Sequence, residues 1–403
     1  MQHSDPSIRH KRLALALSIL SLCSLASPQA SMGALQQGTQ ASPLFEGSPG
    51  VFYGTIPTRG AFGYGSIFRV TAAGSFALEY NFGGAGNVGN GTNPQDIMLG
   101  PDGNLYGITS SGGNLTLSCG TVFGFDGTTL STLHQFGSGE GCHPSGGLYY
   151  GFGQGGLRTL YGTTGLIGGS QTIYSLDFFG TLTTLHTFGS SGDGSHPNSP
   201  LVVIDPTSGT LIGTTQSGGG FGYGTLYELQ FHQGSQPTES VVYNFSGSSM
   251  LANQSPVGWL APANDVVYGN VSGLGGYQDG NLFAFQYSNL FTALLIFAPP
   301  PHQSGACSGP MFGNDGYVYG ATCFGGTFGL GYVYKYNPST QIATTIHSFS
   351  SSEGYTVLAP LTLGSDGNLY GTTFTGGQFG YGTIFKLTEN GALTVLHSFS
   401  KAD

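Results

Sequence analysis

Apolar and polar residues alternate along this chain in short runs that end on an aromatic and are cut by glycine, and the runs return in a fixed order. The stretch 368–399, NLYGTTFTGGQFGYGTIFKLTENGALTVLHSF, shows the unit. A Tyr-Gly step opens it, an aliphatic-aromatic pair (Ile384-Phe385) marks its middle, and an alternating run closes it on Phe399. The opening step lies at Tyr53-Gly54, Tyr106-Gly107, Tyr161-Gly162, Ile212-Gly213, Tyr268-Gly269, Tyr319-Gly320 and Tyr370-Gly371, 51 to 56 residues apart. The middle pair follows each time, from Ile67-Phe68 to Ile384-Phe385, and the closing residue is Phe82, Phe136, Phe188, Phe245, Phe297, Phe349 or Phe399. Three markers in register across seven copies define a repeat protein.

Alternation with period two predicts strands, and Asp-Gly and Asn-Gly pairs predict tight antiparallel turns. In the last copy strand a is expected over 361–364, b over 368–373, c over 382–387 and d over 393–399, with turns at Asp366-Gly367 and Asn390-Gly391. Pro43, Pro94, Pro144, Pro200, Pro256, Pro310 and Pro360 are read as one position at the start of strand a, where a missing N–H is tolerated. Seven four-stranded units of about fifty residues predict an all-β, seven-bladed β-propeller over residues 43–403. A β-solenoid does not explain paired tight turns at this spacing. The strand-b glycine is expected to admit an aromatic ring from a neighbouring blade, and the ring of blades is expected to close by side-chain packing, without strand exchange.

Composition alone points elsewhere, since 72 Gly and 20 Pro in 403 residues approach the level of low-complexity chains. The pattern decides against disorder, because 13% of residues are aromatic and they stand at fixed places between the glycines. At the N-terminus, Arg9, Lys11 and Arg12 precede an apolar run over 13–25, too short to span a bilayer, with a small-x-small cleavage site at Ser24-Leu25-Ala26. Residues 1–26 are read as a secretory signal peptide and 27–42 as a linker, so the chain is expected outside the cell. Leu22 before Cys23 argues against a lipid anchor there. Cleavage removes three of nine basic and one of nineteen acidic residues, which leaves a net charge near −12 and excludes nucleic acid as a natural partner. No other apolar run is long enough to cross a membrane as a helix, and the mature chain is expected to be a soluble monomer.

Four cysteines remain in the exported chain: Cys119, Cys142, Cys307 and Cys323. They predict two disulfides. Sequence permits three connectivities, and the repeat frame favours the local pairs Cys119 with Cys142 and Cys307 with Cys323. Each pair would join a b-to-c loop to a d-to-a loop on one face of the propeller. That face carries the long, varied loops, and variable loops on a rigid scaffold are where binding resides.

Two groups of residues there could carry chemistry. The b-to-c loops hold Phe62 and Tyr64, Phe221 and Tyr223, and Phe379 and Tyr381, with Phe328 and Leu330 as a partial fourth set. Exposed rings framed by glycine can stack on sugars or on apolar parts of a peptide. Repetition equally suits loop-to-loop packing. The d-to-a loops hold Glu140-Gly-Cys-His143-Pro and Asp193-Gly-Ser-His196-Pro, with Glu353-Gly354 in a third. A carboxylate beside a His could move a proton or hold a metal, whereas acid-Gly pairs are also ordinary turns, with the His read at an extended position before proline. His134, His186, His347 and His397 share one strand-d position with Tyr80 and Tyr243, which reads as packing. Gly-x-Gly strings without a following helix form no phosphate loop, and lone Asp-Gly turns form no calcium site. No cofactor and no metal are assigned.

The phrase NLYGTT…GG…GTIFKLT…G.LT.LHSF resembles the GloVer (Gloeobacter/Verrucomicrobia-type) tandem repeat of choice-of-anchor secreted bacterial proteins, over nearly all of 43–399. Copies three and five depart from it, with Gln171 at the glycine before strand c and Asn270-Val271 at the usual Thr pair. The resemblance implies export and a propeller-like fold and no particular activity. Two readings therefore stand. The preferred one is a secreted, non-catalytic binding or scaffold propeller for glycan or protein; the other is an extracellular polysaccharide lyase or hydrolase using Glu140, His143, Asp193 and His196.

Overall fold

The computed structural model describes residue 39 and residues 41–84, 89–113, 116–137, 139–152, 158–165, 170–205, 209–232, 234–246, 254–263, 265–273, 280–286, 290–296 and 305–403. The expected signal peptide and nearly all of the expected linker lie outside them. Residues Gly38–Asp403 form one compact unit. They build seven antiparallel sheets, each from strands consecutive in sequence, arranged as a seven-bladed β-propeller. No α-helix occurs among the described residues, so there is no helix among them long and apolar enough to cross a membrane.

Blade 1 comprises β1 (Phe45–Ser48), β2 (Val51–Ile56), β3 (Ser66–Thr71) and β4 (Phe76–Asn81). Blade 2 comprises β5 (Thr92–Leu99), β6 (Leu105–Ser111), β7 (Thr121–Phe125) and β8 (Leu130–Gln135). Blade 3 comprises β9 (Pro144–Phe152), β10 (Arg158–Thr164), β11 (Thr172–Asp177) and β12 (Leu182–Thr187). Blade 4 has a fifth strand, because its strand a is split into β13 (Gly194–Pro197) and β14 (Val202–Asp205), both paired with β15 (Thr210–Gly218). Pro197 and Pro200 flank the break, and neither has an N–H to continue the ladder. Strands β16 (Thr225–Gln230) and β17 (Thr238–Asn244) complete it. Blade 5 comprises β18 (Gln254–Ala263), β19 (Val266–Gly273), β20 (Asn281–Gln286) and β21 (Leu290–Ile296). Blade 6 comprises β22 (Met311–Phe312), β23 (Val318–Ala321), β24 (Tyr332–Asn337) and β25 (Ile342–Ser348). Blade 7 comprises β26 (Thr362–Leu363), β27 (Leu369–Thr372), β28 (Thr383–Leu387) and β29 (Leu393–Ser398).

The strand-b glycine does its work inside a blade. In all seven blades it stands directly opposite the strand-c aromatic: Gly54 opposite Phe68, Gly107 opposite Phe123, Gly162 opposite Tyr174, Gly213 opposite Tyr227, Gly269 opposite Phe283, Gly320 opposite Tyr334 and Gly371 opposite Phe385. The tip of the ring reaches the glycine, so a Cβ at Gly54 would come within 2.5 Å of Phe68 Cζ and one at Gly371 within 2.6 Å of Phe385 Cζ. This corrects the expectation of aromatic against glycine between blades. The joint between blades is aromatic on aromatic. The closing Phe of one blade meets the strand-c ring of the next edge to face, as in Phe82 with Phe123, Phe136 with Tyr174, Phe188 with Tyr227, Phe245 with Phe283 and Phe349 with Phe385, at 5.2–5.7 Å between centroids. Phe82, Phe136, Phe245 and Phe349 are no more than 1% exposed. Burial of each such ring contributes about 1.5–3 kcal/mol, and the edge-to-face contact about 0.5–1.5 kcal/mol more.

The same joint closes the propeller. Phe399 meets Phe68 at 6.0 Å, and Phe52 packs on Tyr370 at 4.0 Å. Glu46 accepts hydrogen bonds from the Ser365 N–H and hydroxyl, at 2.7 and 2.8 Å. The Thr39 N–H donates to the carbonyls of Phe374 and Tyr381, both at 3.0 Å, and Ala41 and Leu44 join the core at this joint. No strand crosses from blade 7 to blade 1 among the described residues.

A β-bulge interrupts the c-d pairing of every blade just before the strand-c aromatic, from Ile67/Phe68 to Ile384/Phe385. Bulges re-aim side chains. Beside the bulge stands the strand-d His or Tyr in six blades and Leu295 in blade 5, and the ring reaches the next blade where His397 stacks on Phe76 and Tyr243 on Phe291.

Candidate functional site

The b-to-c loops of blades 1, 4, 6 and 7 share one geometry. A glycine N–H at the loop's end returns to a residue six positions earlier: Gly65 to Arg59, Gly224 to Gly218, Gly331 to Gly325 and Gly382 to Gly376, at 2.7–3.1 Å. The residue after each phenylalanine, Gly63, Gly222, Gly329 or Gly380, has φ between +74° and +85°, a conformation that lets the backbone fold back under the ring. The phenylalanines are left at the tips. Phe62 is 51% exposed, Phe221 63%, Phe328 63% and Phe379 53%, so half or more of each ring faces solvent. Their partners divide. Tyr64 is exposed, whereas Tyr223 and Tyr381 are half-buried against core clusters, Tyr381 under the Arg59 guanidinium at 4.2 Å. Blades 6, 7 and 1 are consecutive around the ring, so Phe328, Phe379 and Phe62 form an arc, with Phe221 apart on blade 4.

The d-to-a loops are organised differently from the dyads expected in the sequence. Glu140 Oε2 lies 2.9 Å from His134 Nε2, and Asp193 Oδ2 lies 3.2 Å from His186 Nε2. The strand-d histidine, not the one before proline, meets the acid. Glu353 repeats the arrangement with His347 at 3.3 Å and Asp403 with His397 at 3.2 Å. His143 Nδ1 instead faces the Ser110 carbonyl at 2.6 Å, and His196 Nδ1 the Ser217 hydroxyl at 2.8 Å. Both histidines have positive φ, 56° and 58°, rather than extended backbone, as do Asn93 and Thr356 at the equivalent places. The glycine after each acid lies over a buried Thr pair joining strands b and c, Thr164 with Thr172 at 2.7 Å in blade 3 and Thr373 with Thr383 at 3.0 Å in blade 7. The strand-c Thr donates to the acid's own carbonyl, Thr172 to Glu140 and Thr383 to Glu353. An acid-Gly pair is thus the lid of a polar clamp, with its carboxylate turned to the strand-d imidazole.

Burial alone would raise the Glu353 carboxyl. The Ser350 hydroxyl and N–H donating to it, at 2.6 and 2.9 Å, and the His347 ring instead hold it below its ordinary range. Glu239 is the opposite case. Burial, with the Asp193 charge added, pushes its carboxyl up to about 7. A second carboxylate overlooked in the sequence is Asp96 on β5, 6% exposed and raised by burial despite a hydrogen bond from the Ile97 N–H. Its signal was available, since the register places Asp96 where blades 4 and 7 have Pro200 and Pro360, while Pro94, Pro144 and Pro256 pair further upstream with Thr109, Thr164 and Val271.

Both disulfides join the expected cysteines, Cys119 to Cys142 and Cys307 to Cys323, with Cα atoms 4.5 and 5.8 Å apart. On the opposite face an open groove of about 380 Å³ runs between blades 6 and 7, lined by Tyr317, Lys335, Ile342 and Glu389. Lys335 is committed there to Asp315 at 3.0 Å and to the Tyr317 ring at 4.0 Å.

The sequence profile of the Gloeobacter/Verrucomicrobia repeat matches residues 38–283 and 256–403. The chain belongs to that repeat family. Among solved structures, this Gloeobacter/Verrucomicrobia repeat propeller is similar to the β-propeller domain of the Trilobed protease from Pyrococcus furiosus, at 8% identity and a TM-score of 0.51 over 90% of this chain and 98% of that one. That domain is described as having an open velcro topology. An oligogalacturonate lyase from Vibrio parahaemolyticus matches at 10% identity and a TM-score of 0.52, over 84% and 86% of the two chains. A puromycin-hydrolyzing peptidase from Mycobacterium tuberculosis matches at 11% identity and 0.56, and there the repeat chain covers 90% of its own length and 53% of the peptidase. Such identities show a shared fold alone. No curated protein matches the sequence.

Proposed function

We propose that this repeat protein is a secreted, non-catalytic recognition propeller that binds polysaccharide through the phenylalanines of its b-to-c loops. The observation that carries the reading is the exposure of Phe62, Phe221, Phe328 and Phe379 on four loops of one geometry. A ring raised on a glycine-framed turn loses little conformational freedom on binding, and its face matches the C–H face of a sugar. Three such rings on consecutive blades suit an extended ligand, because weak contacts along one chain add through effective concentration. Glu140, His143, Asp193 and His196 are all engaged in hydrogen bonds within the fold, which is a structural occupation for groups that an enzyme would need free. Disulfides and the basic-apolar N-terminus fit export.

The test is retention of the chain lacking residues 1–26 on a panel of polysaccharides, with product release assayed in the same wells. Retention without product is expected. Replacing Phe62, Phe328 and Phe379 together by Ala should weaken retention by at least about tenfold, the equivalent of losing about 1.4 kcal/mol. Unchanged retention by the triple variant would overturn the site, and product release would overturn the non-catalytic reading.

A further inference from the structure

The joint between blades 3 and 4 carries a group that the repeat does not explain. One strand-d position stands opposite Val70, Phe125, Leu176, Leu229, Phe285, Tyr336 and Leu387 of strand c in the seven blades. Its occupants are Phe76, Leu130, Leu182, Glu239, Phe291, Ala343 and Leu393. Six are apolar, and two of them stack on the His or Tyr of the preceding blade. Phe76 stacks on His397 at 3.7 Å and Phe291 on Tyr243 at 3.9 Å.

In blade 4 this position holds a carboxylate. Glu239 Oε2 lies 3.8 Å from His186 Nε2, and Asp193 Oδ2 lies 3.2 Å from the same nitrogen. One ligand atom from each of the three side chains falls within 4.8 Å of the others. The Asp193 side chain is 5% exposed and that of Glu239 8%. Glu239 Oε1 is buried without a hydrogen-bond partner. No Lys or Arg forms an ion pair with either acid among the described residues. Asp193 is hydrogen-bonded, but Glu239 beside it is an unfavourable neighbour on its own, since a buried carboxylate left unpaired next to a like charge costs several kcal/mol.

We propose that His186, Asp193 and Glu239 bind one divalent transition cation of the Zn²⁺ type, which staples blade 3 to blade 4. One imidazole nitrogen and two carboxylates suit such an ion, balance its charge, and leave a fourth position for water. Tetrahedral ligands about 2.0–2.1 Å from zinc stand roughly 3.4 Å apart, so the three side chains need only a small contraction. Asp193 is already oriented by the Gly194 N–H at 2.8 Å to Oδ1 and the Gly189 N–H at 3.2 Å to Oδ2, the kind of outer support that ligating carboxylates have. His186, 21% exposed, marks the way in. The assignment is independent of the recognition reading and departs from the absence of a metal expected from sequence.

The test is calorimetric titration of the chelator-stripped full chain with Zn²⁺, together with thermal melting. One equivalent should bind, and at a hundredfold excess over its Kd the ion should raise the melting midpoint by about 3 °C. Glu239→Leu installs the residue of blades 2, 3 and 7, and His186→Tyr that of blades 1 and 4, so each variant is matched to packing the protein already uses. Both should lose the equivalent and the shift. Failure of the wild-type chain to bind one equivalent would overturn the site, as would equal binding and an equal shift in either folded variant.

Discussion

The joint of blades 7 and 1 and the joint of blades 3 and 4 are built on the same register and filled with opposite chemistry. In the first, His397 is sandwiched by function: its Nε2 meets Asp403 at 3.2 Å and its face lies on Phe76, tilted by 8°. In the second, His186 keeps the acid of its own loop, Asp193, and receives Glu239 where blade 1 has the Phe76 ring. A repeat makes such a substitution interpretable. Six apolar copies show what the position needs for packing, so the seventh stands out as a departure without recourse to any other protein.

The largest effect is expected from moving the difference. Phe76→Glu places a carboxylate beside His397 and Asp403 and removes a stacked ring, and should destabilise the metal-free chain by about 2–4 kcal/mol in urea denaturation. If cation binding follows from the three side chains alone, the same variant gains a second equivalent of Zn²⁺; a loss of stability without that equivalent would mean that blades 3 and 4 supply something further. In the opposite direction, Glu239→Leu relieves a buried unsatisfied carboxylate and should stabilise the metal-free chain at neutral pH by about 1–3 kcal/mol, measured in chelator. A loss of stability there would show that the carboxylate is satisfied without metal.

The acids that keep the repeat pattern should titrate with the ordinary sign. Glu353 and Asp403 are both held below the usual carboxylate range in the folded chain despite their burial. Their contribution is therefore present above the unfolded carboxylate values of about 4 and is lost as pH falls from there through the lowered folded values. Glu353→Gln should flatten part of this acid limb in midpoint-against-pH curves, and an unchanged limb would show that the His347 pairing carries no linkage. The smallest effect on stability belongs to the exposed tips. Phe62→Ala and Phe379→Ala should change stability by less than about 0.5 kcal/mol, so that any loss of ligand retention reports the surface alone.

Much of this was legible from residue order. The positions of strands b, c and d, the blade number and the cysteine pairs follow from alternation, from Asp-Gly and Asn-Gly turns and from three markers in phase, because these are local properties that seven copies average. The rings at Phe62, Phe221 and Phe379 were also readable as glycine-framed loop tips, although only the structure separates the exposed phenylalanines from the half-buried Tyr223 and Tyr381. What tertiary structure alone decided is pairing across distance. The acids Glu140 and Asp193 lie closest in sequence to His143 and His196, yet a bulge in strand c-d pairing turns His134 and His186 toward them instead. The strand-b glycine meets a ring of its own blade rather than a neighbour's for the same reason, since register sets which ring covers which backbone. Glu239 sits in a strand whose alternation looks unremarkable, and its meaning appears only when seven strands are laid opposite their partners and a carboxylate is found where the other six blades have an apolar side chain.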